Sequence, residues 1–266
     1  MNRNSVPALV FHCAFIAFIV SPLIAVILVS FTTHDYISLP YDGLSFRWFA
    51  EVIHNGEFTE SFFVSLGLAA FAATLAMVVT VPAALAIARY RFYGRNLLIS
   101  LLQSPLMVPA VVLGISFLSL LTLVGWNGTF SGLVICHVII VIPYILRLAV
   151  SAFVGLDRNL ESAAISLGAG SVTVFSRVTL PIALPGIAAG WALAFITSFD
   201  DLTVTIFISS PSVTTLPVRL FARMTETIDP MVAAASTVLM LLAVGAMVLL
   251  NWMYGIDRVF ASRARE

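Results

Sequence analysis

Long apolar runs separated by short polar segments form the dominant pattern of this chain. Six runs are each long enough to cross a hydrocarbon core about 30 Å thick, which takes about 20 helical residues. They cover residues 7–31, 62–88, 97–124, 131–153, 183–209 and 231–254. None alternates apolar and polar residues over about 10 positions, as the strands of a membrane β-barrel do. The pattern therefore predicts an all-α polytopic membrane protein with six transmembrane helices, in a single domain over residues 1–266.

Composition and arginine placement agree with this fold class and predict its orientation. Hydrophobic residues make up 61% of the chain and charged residues 10%, whereas soluble domains are about 45–50% apolar. If the amino terminus is inside, most arginines are cytoplasmic, as the positive-inside rule requires. The cytoplasmic set is Arg3, Arg89, Arg91, Arg95, Arg158, Arg177, Arg258, Arg263 and Arg265, and the external set is Arg47, Arg219 and Arg223. Both termini are thus predicted to be cytoplasmic. The first run is interpreted as a retained helix, with a cleaved signal peptide as the alternative.

The chemistry missing from the sequence excludes several classes of function. The chain contains no lysine. A Walker-type phosphate loop needs a lysine to reach the nucleotide phosphates, so the chain is not its own P-loop ATPase. Its four histidines show neither metal-ligand spacing nor a Ser/His/Asp arrangement. We therefore predict no catalytic residues and no metal site. The net charge is zero and we infer no nucleic-acid partner, and we expect membrane lipid as the surroundings.

One polar, glycine-punctuated segment, residues 157–182, lies between the fourth and fifth runs on the predicted cytoplasmic side. A short helix can begin at Arg158, and Gly168 can adopt the left-handed conformation that turns the chain. A second short helix can follow until Pro181 stops it. The segment predicts a helix-turn-helix knob that projects from the membrane and serves as a docking surface.

The residues of this knob resemble the "EAA" loop of the permease subunits of ATP-binding cassette importers. The match consists of Ala163-Ala164, Gly168 after three further residues, and Val178-Thr179-Leu180-Pro181 after nine more. The resemblance implies a type I importer permease core whose coupling helix fits a groove on a separate ATPase subunit. Ser162 occupies the position of the motif glutamate, and the glutamate of this chain, Glu161, lies one place earlier, a rotation of about 100° on a helix. Glu161 is therefore either a docking contact or a charge at a helix N-terminus. The expected coupling residues are Glu161, Ser162, Ala163, Ala164, Gly168, Arg177 and Pro181.

Further segments resemble the polyamine (spermidine/putrescine) branch of that family. They are Ser198 to Leu202, Thr215 to Val218, Ser104 to Pro109, and Ser45 to Phe49. The resemblance implies a second homologous permease subunit, an external substrate-binding protein, and two ATPase subunits that bind ATP and Mg. It also implies a location in the bacterial inner membrane, with no cofactor in this chain. The expected substrate is a small organic cation, a polyamine, and the alternatives are an opine or an amino acid derivative.

Two adjacent carboxylates, Asp200 and Asp201, lie inside the fifth run. A carboxylate in a membrane span costs at least about 2.5–3.5 kcal/mol, so it normally faces a bundle interior or a wet cavity. A polycationic substrate needs such anionic partners. Neighbouring helical positions diverge by about 100°, so one of the two is expected to face the path while the other takes local hydrogen bonds. The alternatives are an ion pair with an arginine, namely Arg147, Arg219 or Arg223, and capping of a helix break near Ser198.

The expected substrate-path residues are Asp200, Asp201, Ser198 and Trp48. Trp48 is interpreted either as an interfacial belt residue or as a ring that stacks on the transported cation. In the third run, Pro105 and Pro109 precede Gly114. This pattern indicates either the higher proline content common to membrane helices or a kinked, closely packed helix with a gating role.

Three classes of function fit these features. They are a permease subunit, a self-contained proton-coupled carrier in which the aspartates relay protons, and a purely structural membrane subunit. The carrier would need an inverted repeat that echoes the aspartate pair, and the sequence shows none. The permease subunit is therefore the leading prediction.

Overall fold

The structure, a computed structural model, describes residues 6–227 and 229–254 of the chain. In this part of the chain the backbone forms twelve α-helices, with one 3₁₀ turn and one π turn. The first six helices are α1 (Val6–Val29), α2 (Arg47–His54), α3 (Gly56–Arg89), α4 (Arg95–Gln103), α5 (Ala110–Leu123) and α6 (Phe130–Val154). The others are α7 (Arg158–Ser166), α8 (Ser171–Val174), α9 (Leu180–Phe199), α10 (Thr205–Ile208), α11 (Leu216–Glu226) and α12 (Met231–Tyr254).

Long apolar helices account for most of the described chain, which confirms the all-α membrane fold. Four helical stretches are long and apolar enough to span a membrane: Ala8–Val29, Gly56–Arg89, Phe130–Val154 and Ser171–Phe199. A bent pair, Arg95–Leu106 with Ala110–Leu123, makes a fifth if it is one span. The six crossings and the single domain stay predictions. The orientation assigned to Arg3, Arg258, Arg263 and Arg265 concerns residues outside the described part of the chain.

The third predicted span is sharply broken, as its prolines predicted. The two halves of the bent pair meet at an angle of 100°. Pro105 lies in the 3₁₀ turn that ends the first half, and Pro109, with ψ of 133°, immediately precedes α5. Gly114 of α5 lies against α10, because a Cβ added there would be 2.6 Å from Cδ2 of Phe207. The predicted kink and the close packing are therefore both present.

The fifth predicted span differs from expectation at both ends. Pro181 does not stop a helix, because a π turn over Phe175–Thr179 leads directly into α9. The N–H of Leu180 donates to the carbonyl of Phe175 across that turn. Proline then falls in the first turn of α9, where a missing N–H and a fixed φ are tolerated. At the other end α9 finishes at Phe199 rather than at 209, because the chain breaks at the aspartate pair.

One of the two compact units of the chain, residues 60–219, contains α6 and α9 in close contact. Gly186 and Gly190 lie four apart on α9. A Cβ added at Gly190 would be 3.2 Å from Cα of Ile145, and one at Gly186 would be 2.6 Å from Cβ of Ala152. Glycines at this spacing let two helices approach closely in lipid, where packing rather than the hydrophobic effect holds helices together. The buried cluster shared by α3, α6 and α9 consists of Ala73, Ala76, Val141, Ile145 and Ala194.

The other compact unit contains α1, α2 and α12, with α12 in contact with both of the others. Asp229 fixes the start of α12, since its Oδ1 accepts from the N–H of Met231 at 3.0 Å and its Oδ2 pairs with Arg223 at 2.8 Å. The apolar stretch Ala8–Val29 of α1 has no residue buried within the chain. Most apolar side chains of this stretch are therefore exposed.

Candidate functional site

The predicted knob is present as two helical segments joined by a tight turn. Asp157 caps α7, because its Oδ1 accepts from the N–H of Asn159 at 2.9 Å. Gly168 follows α7 with φ of +86°, a conformation that favours glycine, and α8 begins at Ser171. The short α7, the left-handed glycine and the second short helix confirm the predicted local structure. The second segment then continues through the π turn into α9.

Glu161 points into the knob and holds α7 to two other elements. Its Oε1 accepts from Nη2 of Arg89, at the end of α3, at 2.9 Å and from Oγ1 of Thr179, in the π turn, at 2.7 Å. The Arg89 side chain is 10% exposed and that of Glu161 is 19% exposed. Both carboxylate contacts are thus intramolecular, and Glu161 also lies in the first turn of α7, where the helix N-terminus favours a negative charge.

The outer face of the knob carries exposed apolar side chains. Leu167 is 89% exposed, Val172 is 81% exposed and Ile165 is 59% exposed. Five of the predicted coupling residues are exposed too, namely Ser162, Ala163, Gly168, Arg177 and Pro181, whereas Glu161 and Ala164 are half-buried. An exposed apolar patch beside a polar, capped helix is typical of a surface that another protein covers.

The two aspartates lie at the break between α9 and α10 and have different surroundings. Asp200 directly follows α9 and its side chain is exposed. Asp201 is half-buried, and its Oδ2 accepts from the N–H of Val204 at 3.2 Å, from the N–H of Thr205 at 2.9 Å and from Oγ1 of Thr205 at 2.7 Å. Asp201 therefore caps the helix break, one of the alternatives considered. Neither aspartate has an arginine partner in the described part of the chain.

A buried polar cluster behind this break was missed by sequence reasoning. His137 of α6 is fully buried, with its Nδ1 2.8 Å from Oγ of Ser198 and its Nε2 3.0 Å from Oγ1 of Thr205. Ser198 is 4% exposed. The one available signal was a histidine inside an otherwise apolar run, since polar residues within spans usually face other protein groups. Among the described residues, no group of three or more histidine, cysteine or acidic side chains could hold a metal ion.

Trp48, the remaining predicted path residue, belongs to the other compact unit. It lies on α2 and is only 4% exposed. The guanidinium carbon of Arg47 lies 4.8 Å from the centre of its ring. A cation from this chain therefore already occupies a face of the indole.

Comparison with known proteins agrees with these features. Residues 80–256 match the family model described as "Binding-protein-dependent transport system inner membrane component". The chain is 34% identical over 233 residues to the spermidine/putrescine transport system permease protein PotC of Haemophilus influenzae, covering 88% of this chain and 90% of that protein. It is also 34% identical over 256 residues to the putrescine transport system permease protein PotI of Escherichia coli K12, covering 94% of this chain and 90% of that protein.

Solved structures show the same fold at lower identity. A bacterial ABC transporter involved in the import of the acidic polysaccharide alginate aligns with a TM-score of 0.71 at 17% identity, covering 96% of this chain and 99% of that chain. The MetNI methionine ABC transporter aligns with a TM-score of 0.59 at 18% identity, covering 77% of this chain and 95% of that chain. Together with the family match and the PotC and PotI relatives, this fold shows that the chain belongs to the family of binding-protein-dependent transport system inner membrane components, as a permease subunit of the ATP-binding cassette importers.

Proposed function

We propose that this permease subunit works in the bacterial inner membrane and forms, with a second homologous permease, the path for a polyamine. The observation that carries the proposal is an exposed carboxylate, Asp200, at the broken end of a membrane helix. The chain that presents it is 34% identical to permeases named for spermidine and putrescine. A carboxylate is costly in a span unless it serves a wet cavity or a cation. A polyamine is a cation that such a carboxylate attracts.

The energy for import comes, in this proposal, from two separate ATPase subunits. This chain lacks the lysine of a phosphate loop, so ATP and Mg bind to those partners. An external binding protein delivers the substrate. The exposed apolar side chains of Leu167 and Val172 supply the docking surface for an ATPase subunit.

The predicted coupling residues have two separate tasks in this scheme. Ser162, Ala163 and Gly168 belong to the exposed face that the ATPase covers, with Arg177 as an exposed charge beside it. Glu161 instead anchors the knob from within, because its two hydrogen-bond partners belong to this chain. Movement of the docked knob is thereby transmitted to α3 and α9.

The predicted path residues divide in a similar way. Asp200 contacts the substrate, whereas Asp201 and Ser198 shape the helix break, because Oδ2 of Asp201 and Oγ of Ser198 already have hydrogen-bond partners within the chain. Trp48 can stack on a substrate only if α2 moves, since the ring is enclosed and Arg47 covers it.

The first test identifies the assembly and its substrate. The tagged chain is purified from its native membranes, and the co-purifying subunits are identified by mass spectrometry. We expect a second permease and an ATPase that contains a phosphate-loop lysine. The complex is then reconstituted in proteoliposomes with its binding protein, and uptake of labelled putrescine and spermidine is measured with and without ATP. Uptake driven by a proton gradient without ATP would instead identify a secondary carrier.

The second test addresses Asp200 with a matched pair of variants. Asp200→Asn is expected to raise the apparent Km for putrescine by about tenfold to a hundredfold, the value of a hydrogen bond to a charged group. Asp200→Glu keeps the charge and is expected to retain most of the uptake. Glu226, an exposed carboxylate on α11, provides the control through Glu226→Gln. Unchanged uptake in Asp200→Asn would remove this carboxylate from the path.

A further inference from the structure

A continuous chain of hydrogen bonds runs through the core behind the aspartate pair. It begins at Ser198 near the end of α9, crosses the ring of His137 on α6, and passes through Thr205 to Asp201. His137 and Thr205 are fully buried. The chain of bonds therefore joins α6 to both sides of the break between α9 and α10.

The available hydrogens give these bonds a direction. Oδ2 of Asp201 accepts from two backbone N–H groups and, as a carboxylate oxygen, acts only as an acceptor. The bond between it and Thr205 therefore uses the single hydroxyl hydrogen of Thr205. Oγ1 of Thr205 must then accept from His137, which places an N–H on Nε2. A buried ring without a directly bonded carboxylate is neutral, because an unpaired buried charge is costly. Nδ1 of His137 consequently accepts the hydroxyl hydrogen of Ser198.

This order of bonds has a consequence for the helix break. In a membrane span, backbone N–H groups freed by a break need internal partners. Here Asp201 supplies the partner for the N–H groups of Val204 and Thr205. The carboxylate is itself held by Thr205, whose hydroxyl is oriented by the N–H of His137. The adjacent Asp200, one peptide bond away, is left with its side chain exposed.

We propose that His137, protonated on Nε2, is a positioning residue for the substrate path: through Thr205 it fixes the Asp201 carboxylate and so keeps the break in the shape that exposes Asp200. His137 itself does not touch the substrate. The transport readout of this inference rests on the proposed function.

Two substitutions separate the two ring nitrogens. The amide nitrogen of His137→Gln reaches the place of Nε2 and can still donate to Thr205, whereas the shorter His137→Asn reaches only the place of Nδ1. We expect His137→Asn to raise the apparent Km for putrescine by about tenfold, the value of one hydrogen bond in a charged network. Its maximal rate per permease should stay near the wild-type value, and His137→Gln should restore the Km to within about threefold. Equal loss of maximal rate and complex yield in both variants would reduce His137 to a structural residue.

A second pair keeps the inference testable if the histidine variants fail to assemble. Thr205→Ser retains the hydroxyl, while Thr205→Val removes it at nearly constant shape. Thr80 of α3 is the matched control, because it is fully buried and its Oγ1 has no hydrogen-bond partner in the described part of the chain. We expect Thr205→Val alone to raise the Km, with Thr205→Ser and Thr80→Val near wild type. A Km unchanged in Thr205→Val overturns the proposal.

The proton position is tested without any transport. The complex is labelled with ¹⁵N and ¹³C histidine, and the signal of His137 is assigned by its loss in His137→Gln. A neutral ring with its proton on Nε2 is expected. A proton on Nδ1 alone, or on both nitrogens, overturns the bond order whatever the complex carries. If putrescine is not taken up at all, the proposed function fails while this measurement still decides the bond order.

Discussion

Removing the Glu161 carboxylate should loosen the knob without unfolding the membrane helices. The perturbation is Glu161→Ala, compared with Glu161→Gln, which keeps an oxygen acceptor but loses the charge. The carboxylate makes one charge-assisted bond to Arg89 and accepts one hydroxyl hydrogen from Thr179. Both contacts hold α7 to elements outside it, so their loss acts on the docking of α7.

The magnitude follows from burial. Breaking a buried pair by removing one partner costs about 3–5 kcal/mol. Here the two side chains keep 10% and 19% exposure, and a groove of about 420 Å³ opens beside them, so water can rehydrate Arg89. We therefore expect about 2 kcal/mol for Glu161→Ala, which is roughly a thirtyfold change in an opening equilibrium. Glu161→Gln should cost about 1 kcal/mol, since hydrogen bonding survives without the charge.

Hydrogen exchange of the α7 amides, followed by mass spectrometry on the purified complex, measures this opening. A cycle with Arg89→Ala and the double variant isolates the pair, and the double variant should cost clearly less than the sum of the single ones. Glu226→Ala, which removes an exposed carboxylate on α11, should leave exchange in α7 unchanged. Loss of ATPase binding in Glu161→Ala while α7 exchanges at the wild-type rate would contradict the expected loosening of α7. That result would make Glu161 a direct docking contact.

Two further predictions concern packing and docking. Gly186→Ala places a methyl group against the methyl group of Ala152 and should lower the stability of the purified complex by about 1–3 kcal/mol. Adding Ala152→Gly should restore the thermal transition temperature. Gly67→Ala serves as the control, because a Cβ there would make only ordinary van der Waals contact. Replacing Leu167 and Val172 together by aspartate should abolish co-purification of the ATPase. Membrane insertion should be retained, because these apolar side chains are 89% and 81% exposed and contribute little to the packing of the chain. Normal ATPase recovery would contradict the docking assignment.

Local chemistry made the helices and the knob predictable. Apolar runs near 20 residues can satisfy their backbone in lipid only as helices, and Gly168 suits a left-handed turn whatever surrounds it. The kink was predictable from Pro105 and Pro109, because a proline interrupts helix hydrogen bonding at its own position. The prediction for Pro181 was wrong because a proline stops a helix only in its interior, and Pro181 falls in the first turn of α9.

Partners far apart in the chain explain what could not be predicted. Glu161 meets Arg89 across 72 positions, and His137 meets Ser198 and Thr205 across 61 and 68 positions. No local pattern encodes such pairings, because they depend on how neighbouring helices are rotated. One of Asp200 and Asp201 was expected to take local hydrogen bonds because of their angular separation, but the identity of that residue required the structure.

The π turn before α9 gives the knob a direct mechanical connection to the candidate path. Because helical structure continues from Ser171 to Phe199, no flexible loop separates the proposed docking surface from the membrane helix. The 20 residues of α9 span about 30 Å at 1.5 Å per residue. A rotation imposed on α8 is therefore carried as torque along α9 and emerges at its far end, beside Asp200. The π turn has more residues than a turn of α-helix. It therefore changes the rotation of α9 about its axis relative to α8, and with it the direction in which a movement of α8 reaches the end of α9.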